Sequence, residues 1–106
     1  MTELLQPDAL ARELHASERS RVQIRQFSQR FPSMTIEDSY AIQRAWMQIK
    51  RAEGRTVVGH KIGLTSRAMQ LSSQITEPDY GTLLDDMVLR DGGEVAAARF
   101  IVPRLE

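Results

Sequence analysis

The 106-residue sequence contains no cysteine and only two histidines, His15 and His60. Without cysteine, disulfides, thiolate metal sites and a cysteine nucleophile are excluded, and two histidines are too few for a self-contained His-rich zinc site. No run approaches the roughly 20 apolar residues that a membrane helix needs, and the first five residues lack the basic start and apolar core of a secretory signal. We therefore expect a cytoplasmic setting and no membrane partner.

A net charge is also lacking, because 14 basic side chains balance 14 acidic ones. A neutral chain has no long-range field to attract nucleic acid or an anionic membrane. Arginine interleaved with aromatic residues can bind single-stranded nucleic acid, but Glu13 and Glu18 dilute the basic run, so we expect no nucleic-acid partner. That run comprises Arg12, Arg19, Arg21, Arg25 and Arg30, with Phe27 and Phe31 among them.

Helix signals come first along the chain, and strand signals follow. Pro7 and Asp8 predict a helix start, and Thr35 with Asp38 predicts the capped start of a helix over residues 36–53 that ends before Gly54. Trp46, on the apolar stripe of that helix, is predicted to anchor the core. The order predicts an α+β chain, with a helical region over residues 1–54 and the start of a β-rich region over residues 55–106.

Shorter elements are less sharply marked. Residues 20–31 combine strand-like and helical spacing, and we interpret them as a helix followed by irregular chain. The last six residues resemble an element entering a core, which suggests a truncated polypeptide. The remaining predictions are a strand over 55–64, a short helix over 66–71, a turn at 77–81, a hairpin over 87–95 and a strand beginning at residue 100.

Lys61 lies in the middle of the predicted strand, with Gly59 and Gly63 beside it on the same face. Glycine weakens a strand unless something must approach the backbone closely. A partly desolvated ammonium there would have a lowered pKa and could exchange protons near neutral pH, or bind an anion. The alternative is a solvated lysine beside a bulge. His60, on the opposite and mostly apolar face, is predicted to be a core histidine.

Acidic side chains concentrate in the last third of the chain. Asp79 follows Pro78, so its carboxylate is predicted to be held stiffly enough to accept a proton or orient a water; the alternative is a turn-capping aspartate. Asp85 and Asp86 are interpreted as a solvated or capping pair. Glu106, taken alone, is a terminal charge, because a magnesium site uses several oxygen ligands.

Four segments in order resemble the 2-oxopent-4-enoate hydratase/4-oxalocrotonate decarboxylase family of the fumarylacetoacetate hydrolase superfamily. The likeness is strongest to hydratases that act on a 2-oxo-heptenedioate in homoprotocatechuate (4-hydroxyphenylacetate) degradation. Because family members are longer than this chain, the resemblance implies the N-terminal part of a β-rich catalytic fold. The segments are TIEDSYAIQ (35–43), GHKIGLTS (59–66), EPDYGTLLDDM (77–87) and RFIVPRLE (99–106).

The resemblance also implies site residues and a cofactor. Lys61 matches the family's active-site lysine, and Asp79 matches its acid/base aspartate. An arginine-x-glutamate-x-glutamate run supplies two metal ligands in the family, and a later glutamate supplies the third. Arg104-Leu105-Glu106 matches the first half of that run, so Glu106 is implied as a ligand of Mg²⁺ or Mn²⁺.

The implied activity is the addition of water to a small 2-oxo or 2-hydroxy-dienoate dicarboxylate, which gives a 4-hydroxy-2-oxo dicarboxylate. The full-length enzyme is expected to be a homo-oligomer, and the chain alone is expected to be inactive because one ligand cannot hold the metal. Two alternatives stay open: a decarboxylase of the same family, and a non-enzymatic interaction module that docks through the helix over residues 36–53.

Overall fold

The computed structural model describes residues 4–105. Three helices come first: α1 (Pro7–Ser20), α2 (Phe27–Arg30) and α3 (Ile36–Ala52). Strand β1 (Val57–Gly63), helix α4 (Arg67–Ser73) and strand β2 (Asp79–Leu84) follow, with short 3₁₀ turns at Asp85–Met87 and Ala97–Arg99. The predicted α+β order is confirmed.

The chain forms two compact units, which we call the helical unit and the hairpin unit. The helical unit runs to Glu53 and resumes at Asp91, and the hairpin unit is Gly54–Arg90. The predicted division into regions 1–54 and 55–106 stays a prediction about the complete protein. No helix within residues 4–105 is long and apolar enough to cross a bilayer.

The predicted signals at the ends of α1 and α3 are confirmed. Pro7 is in the first turn of α1, and α3 begins with a reciprocal capping box. The Asp38 amide donates to Thr35 Oγ1 at 3.1 Å, and the Thr35 amide donates to Asp38 Oδ2 at 2.8 Å. Gly54, just past the C-cap, has φ +93°, a conformation that residues with a Cβ rarely adopt. The capping box satisfies two of the backbone N–H groups that a helix leaves unpaired at its start.

The core of the helical unit lies between α1 and α3. Trp46 packs against this core as predicted, and each large apolar side chain that is fully buried contributes about 1.5–3 kcal/mol. The buried members are Leu10, Ala11, Phe31, Ile42 and Ala45, with Leu5, Leu14, Phe27, Met34 and Ile49 packed around them.

Two cationic side chains of this unit form ion pairs and also lie over aromatic rings. Lys50 is only 6% exposed, pairs with Glu18 and lies 5.8 Å from the centre of the Trp46 ring. Arg30 donates to both carboxylate oxygens of Glu13 at 3.0 Å. It also lies over the rings of two phenylalanines, at 5.6 Å from Phe27 and 5.5 Å from Phe31.

The order predicted for residues 20–31 is wrong, because the irregular chain precedes the helix. Arg21, with φ 61°, ends α1 in the left-handed conformation. Ser17 Oγ then donates to the Val22 carbonyl at 2.5 Å, which draws the chain out of the helical path. The only helical turn that follows in this segment is α2, at Phe27–Arg30.

Three predictions after residue 76 are also wrong. The predicted turn at 77–81 ends at Pro78, because Asp79 already begins β2. Asp91 and Gly92 form the expected turn, with Gly92 at φ +76°, but no strands flank it in the described chain, and residues 100–102 are bends. Val88, Leu89 and Val102 are exposed, so these segments lack the buried face that stabilises strand pairing.

Glu53 links α1 to the end of α3, and its pKa predicts a pH-dependent stability. Glu53 Oε1 lies 2.7 Å from His15 Nε2 and 2.9 Å from Arg19 Nη1. The hydrogen bond from His15 and the positive charges nearby hold the Glu53 pKa below its ordinary 4.5. A carboxyl group with a lowered folded-state pKa stabilises the fold above its ordinary pKa, and this contribution is lost as the pH falls through the folded value.

We predict that Glu53→Gln lowers the free energy of unfolding at pH 7 and has a smaller effect at pH 3, because the stabilisation that the lowered pKa provides is lost progressively as the pH falls below the ordinary 4.5. Urea unfolding of the 106-residue chain, followed by its helical circular dichroism, measures both values. A deficit of equal size at the two pH values would show that the charge of Glu53 has no stabilising role.

Candidate active site

The register of the two strands places Lys61 and Asp79 on one face of the hairpin. β1 and β2 are antiparallel, with Lys61 opposite Gly81 and Gly63 opposite Asp79. Directly opposed residues of an antiparallel pair share a face, so Lys61 and Asp79 are diagonal neighbours. Diagonal neighbours lie within reach of a long side chain. Two residues that sequence analysis selected separately therefore lie side by side.

Glycines surround Lys61 on this face. Gly59 and Gly63 flank it along β1, and Gly81 is directly opposite on β2. We call these three positions the glycine clearing. None of them carries a side chain, and a Cβ at Gly81 would meet nothing within 4 Å, so the face is open across from Lys61. Asp79 lies at one end of the clearing, and Leu83, which is opposite Gly59, lies at the other.

Both charged side chains are exposed in the described structure. The hairpin unit therefore does not supply the partial desolvation that would lower the pKa of a catalytic Lys61. The strand pairing is irregular between Val57 and Gly59, close to where the alternative interpretation expected a bulge. The alternation inferred from sequence holds from Gly59 to Gly63, which is the part that positions Lys61.

The opposite face of the hairpin corrects the prediction for His60. His60 is opposite Thr82 and exposed, so it is not a core histidine. Its neighbours on this face, Ile62 and Tyr80, are opposite each other and 59% and 55% exposed. The apolar pattern of this face predicts that it is covered, whereas no part of the hairpin unit covers it.

Hydrogen bonds hold the chain at both ends of the strand pair. After Gly63, Leu64 adopts a left-handed conformation with φ 53°, and its carbonyl accepts from Gln70 Nε2 at 2.8 Å. At the other end, the Asp85 amide donates to the Thr56 carbonyl at 2.9 Å, and Asp85 Oδ1 accepts from the Thr56 amide at 3.2 Å. Asp85 is thus a capping residue, as predicted, whereas no sequence signal marked Leu64.

A complete metal site is not present among the described residues. Residues 4–105 bring together no group of three histidine, aspartate or glutamate side chains that could hold a metal ion. Glu106, the ligand that the resemblance implies, lies outside the described residues. The described side chains thus do not fit a divalent cation by themselves.

Curated enzymes are similar to nearly all of this chain. The sequence is 60% identical over 97 residues to 2-oxo-hept-4-ene-1,7-dioate hydratase of Escherichia coli, a match that covers 92% of this chain and 36% of the relative. It is 40% identical over 104 residues to 2-keto-4-pentenoate hydratase 2 of Dechloromonas aromatica, which covers 94% and 38%. The chain therefore spans little more than a third of the length of these relatives.

A solved structure shares the fold. The chain superimposes with a TM-score of 0.74 on 4-oxalocrotonate decarboxylase from Pseudomonas putida G7, a structure that contains magnesium and adipate. The two are 34% identical, and the match covers 81% of this chain and 34% of the decarboxylase. No protein-family model matches the sequence. From its likeness to hydratases along its length and to the decarboxylase in fold, the chain belongs to the 2-oxopent-4-enoate hydratase/4-oxalocrotonate decarboxylase family.

Proposed function

We propose that the complete protein adds water to a 2-oxo-heptenedioate, or to its 2-hydroxy-dienoate tautomer, in homoprotocatechuate catabolism. The product is a 4-hydroxy-2-oxo dicarboxylate. The observation that carries the proposal is the shared face of Lys61 and Asp79, with the glycine clearing beside the lysine. Identity of 60% to the heptenedioate hydratase favours this substrate over the shorter pentenoates, for which the identity is 40%.

The pair can perform the proton transfers that hydration needs. Moving a proton from C3 to C5 shifts the 4,5-double bond to C3–C4, where it is conjugated with the 2-oxo group. Water then adds at C4, and C3 takes a proton. A carboxylate such as Asp79 can accept a proton from C3 or from the attacking water. An ammonium such as Lys61 can return a proton or stabilise the negative charge that develops on the 2-oxo oxygen.

The glycine clearing suits a flat substrate. A conjugated 2-oxo acid is planar, and it can approach the backbone of a strand closely only where no Cβ projects. With Gly59 beside Lys61 and Gly81 across from it, the substrate has room next to the lysine, while the Asp79 carboxylate fills the space at Gly63. The substrate, together with chain outside the hairpin unit, would then supply the desolvation that the exposed pair lacks.

We also propose a divalent cation as the cofactor, with magnesium favoured over manganese. The decarboxylase of similar fold holds magnesium, and Mg²⁺ binds through carboxylate oxygens and water. Glu106 would contribute one ligand, and the others would come from the part of the relatives that this chain does not span. When bound, such a cation polarises the 2-oxo group of the substrate.

A decarboxylase of the same family is the second candidate, because the fold match at TM-score 0.74 is to such an enzyme. Its lower identity of 34%, against 60% for the hydratase, makes hydration the stronger proposal. The interaction module gains no support, since the relatives described above are enzymes. The partner we propose is the dicarboxylate substrate, and the complete enzyme is proposed to be a homo-oligomer in the cytoplasm.

The role of Lys61 can be tested in a hybrid enzyme, in which this chain replaces the matching segment of the Escherichia coli relative. We predict that Lys61→Ala lowers kcat for hydration by about 10²–10⁴-fold, the range typical of a lost acid or base. His60→Ala, on the opposite face of the same strand, is the matched control and should retain normal turnover. Ultraviolet absorbance of the dienoate substrate follows the reaction.

Lys61→Arg separates the two roles considered for the lysine. Arginine keeps the charge but does not release a proton at neutral pH. A loss as large as that of Lys61→Ala would assign proton transfer to Lys61, and substantial retained turnover would assign charge stabilisation. Near-normal turnover of Lys61→Ala with metal present would refute both. Release of CO₂ in place of hydration would favour the decarboxylase.

Metal dependence is the second test of the proposal. We predict that chelator treatment abolishes turnover of the hybrid enzyme and that added Mg²⁺ restores it. We also predict no measurable hydratase activity for the purified 106-residue chain at any Mg²⁺ concentration, because the described residues cannot assemble a metal site. Robust turnover by that chain, or by the chelator-treated hybrid, would contradict the proposed cofactor.

A further inference from the structure

We infer that Gly63 is a positioning residue, whose lack of a Cβ lets the Asp79 carboxylate lie against β1 on the face that carries Lys61. The inference rests on the proposed function, in which Asp79 exchanges a proton with the substrate or with water. Gly63 does no chemistry itself and would act through the side chain of Asp79 opposite it. The supporting observations are the register, the close approach of one carboxylate oxygen and the backbone conformation of Gly63.

The carboxylate occupies the space that a side chain at Gly63 would take. A Cβ built on Gly63 would lie 2.3 Å from Asp79 Oδ1, 3.3 Å from Cγ and 3.6 Å from Oδ2. Real Cβ atoms essentially never approach another heavy atom more closely than 3.0 Å. An alanine at this position and the present position of the carboxylate are therefore incompatible.

The backbone gives no other reason for glycine here. Gly63 does not have the positive φ that makes glycine necessary at Gly54 and Gly92. It is the last residue of β1, in regular antiparallel pairing with Asp79. A side chain at a strand position normally stabilises the strand. The Asp79 carboxylate opposite Gly63 explains why this position has no side chain.

The other two glycines of the clearing provide a comparison. A Cβ on Gly59 would be 3.8 Å from Leu83 Cδ1, which is ordinary contact, and a Cβ on Gly81 would meet nothing within 4 Å. All three substitutions would add one methyl group to the face of Lys61. Only the one at Gly63 would displace Asp79, so the three variants separate displacement of the carboxylate from general crowding of the clearing.

The fold is expected to survive Gly63→Ala. The atom that the new Cβ would meet is the end of a flexible side chain, so the carboxylate can swing away by about 1 Å while the strand pairing stays intact. A displacement of that size at a reacting group lowers the rate by up to about 100-fold. The expected result is a folded enzyme with a misplaced acid/base group.

The test compares Gly63→Ala, Gly81→Ala and Gly59→Ala in the hybrid enzyme, with kcat, KM and Tm measured for each. We expect kcat of Gly63→Ala to fall at least tenfold below that of Gly81→Ala, with KM and Tm close to those of the unmodified hybrid. A merely structural role would move Tm and leave the ratio of the two kcat values near one. Equal losses in all three variants would overturn the inference, because crowding would then explain them.

A second background separates this inference from the proposed function. Asp79→Ala removes the carboxylate, so adding Gly63→Ala to it should lower kcat no further, since coupled residues are not additive. A further tenfold loss in the double variant would overturn the positioning role of Gly63. Full activity of Gly63→Ala, if Asp79→Ala is inactive, would also overturn it. Full activity of Asp79→Ala would instead overturn the catalytic role of Asp79.

Discussion

The antiparallel register of β1 and β2 is the constraint on which the candidate site depends. Lys61 and Asp79 are 18 positions apart in sequence, and they share a face only because Lys61 pairs with Gly81 and Gly63 pairs with Asp79. A shift of the pairing by one residue would turn one member of the pair to the opposite face. The hydrogen bonds between Thr56 and Asp85, and the turn stabilised by Gln70 at Leu64, keep that register at the two ends of the pair.

The two compact units use different means of stabilisation. The helical unit has a conventional core between amphipathic helices, together with partly buried ion pairs such as Lys50 with Glu18. In the hairpin unit, Leu84 is fully buried, while large apolar side chains such as Ile62 and Tyr80 are exposed. Backbone pairing and local hydrogen bonds therefore carry more of the order in the hairpin unit than apolar burial does.

The features that depend on local chemistry are predictable from the sequence. The capping box of Thr35 and Asp38, the helix of which Trp46 is part and the strand around Lys61 each follow from residue types a few positions apart. Most predictions that failed concerned burial and pairing, which depend on residues distant in sequence; the order of helix and irregular chain over residues 20–31 is the local exception. His60 is exposed because nothing in its unit covers that face, and the segments around Asp91 and Gly92 lack strand partners among the described residues. The neighbourhood of Lys61 and Asp79 likewise required the register, which no local signal encodes.

The closure between Thr56 and Asp85 has a consequence for the segment that joins the two strands. The hydrogen bonds between Thr56 and Asp85 hold β1 and β2 together at the end away from their connection. The length of that connection, which contains helix α4, therefore does not determine the pairing. Doubling the length of a flexible loop costs only about 0.6 kcal/mol of closure entropy. Insertions between Gln74 and Pro78 would thus cost little free energy and leave the lysine and the aspartate in place.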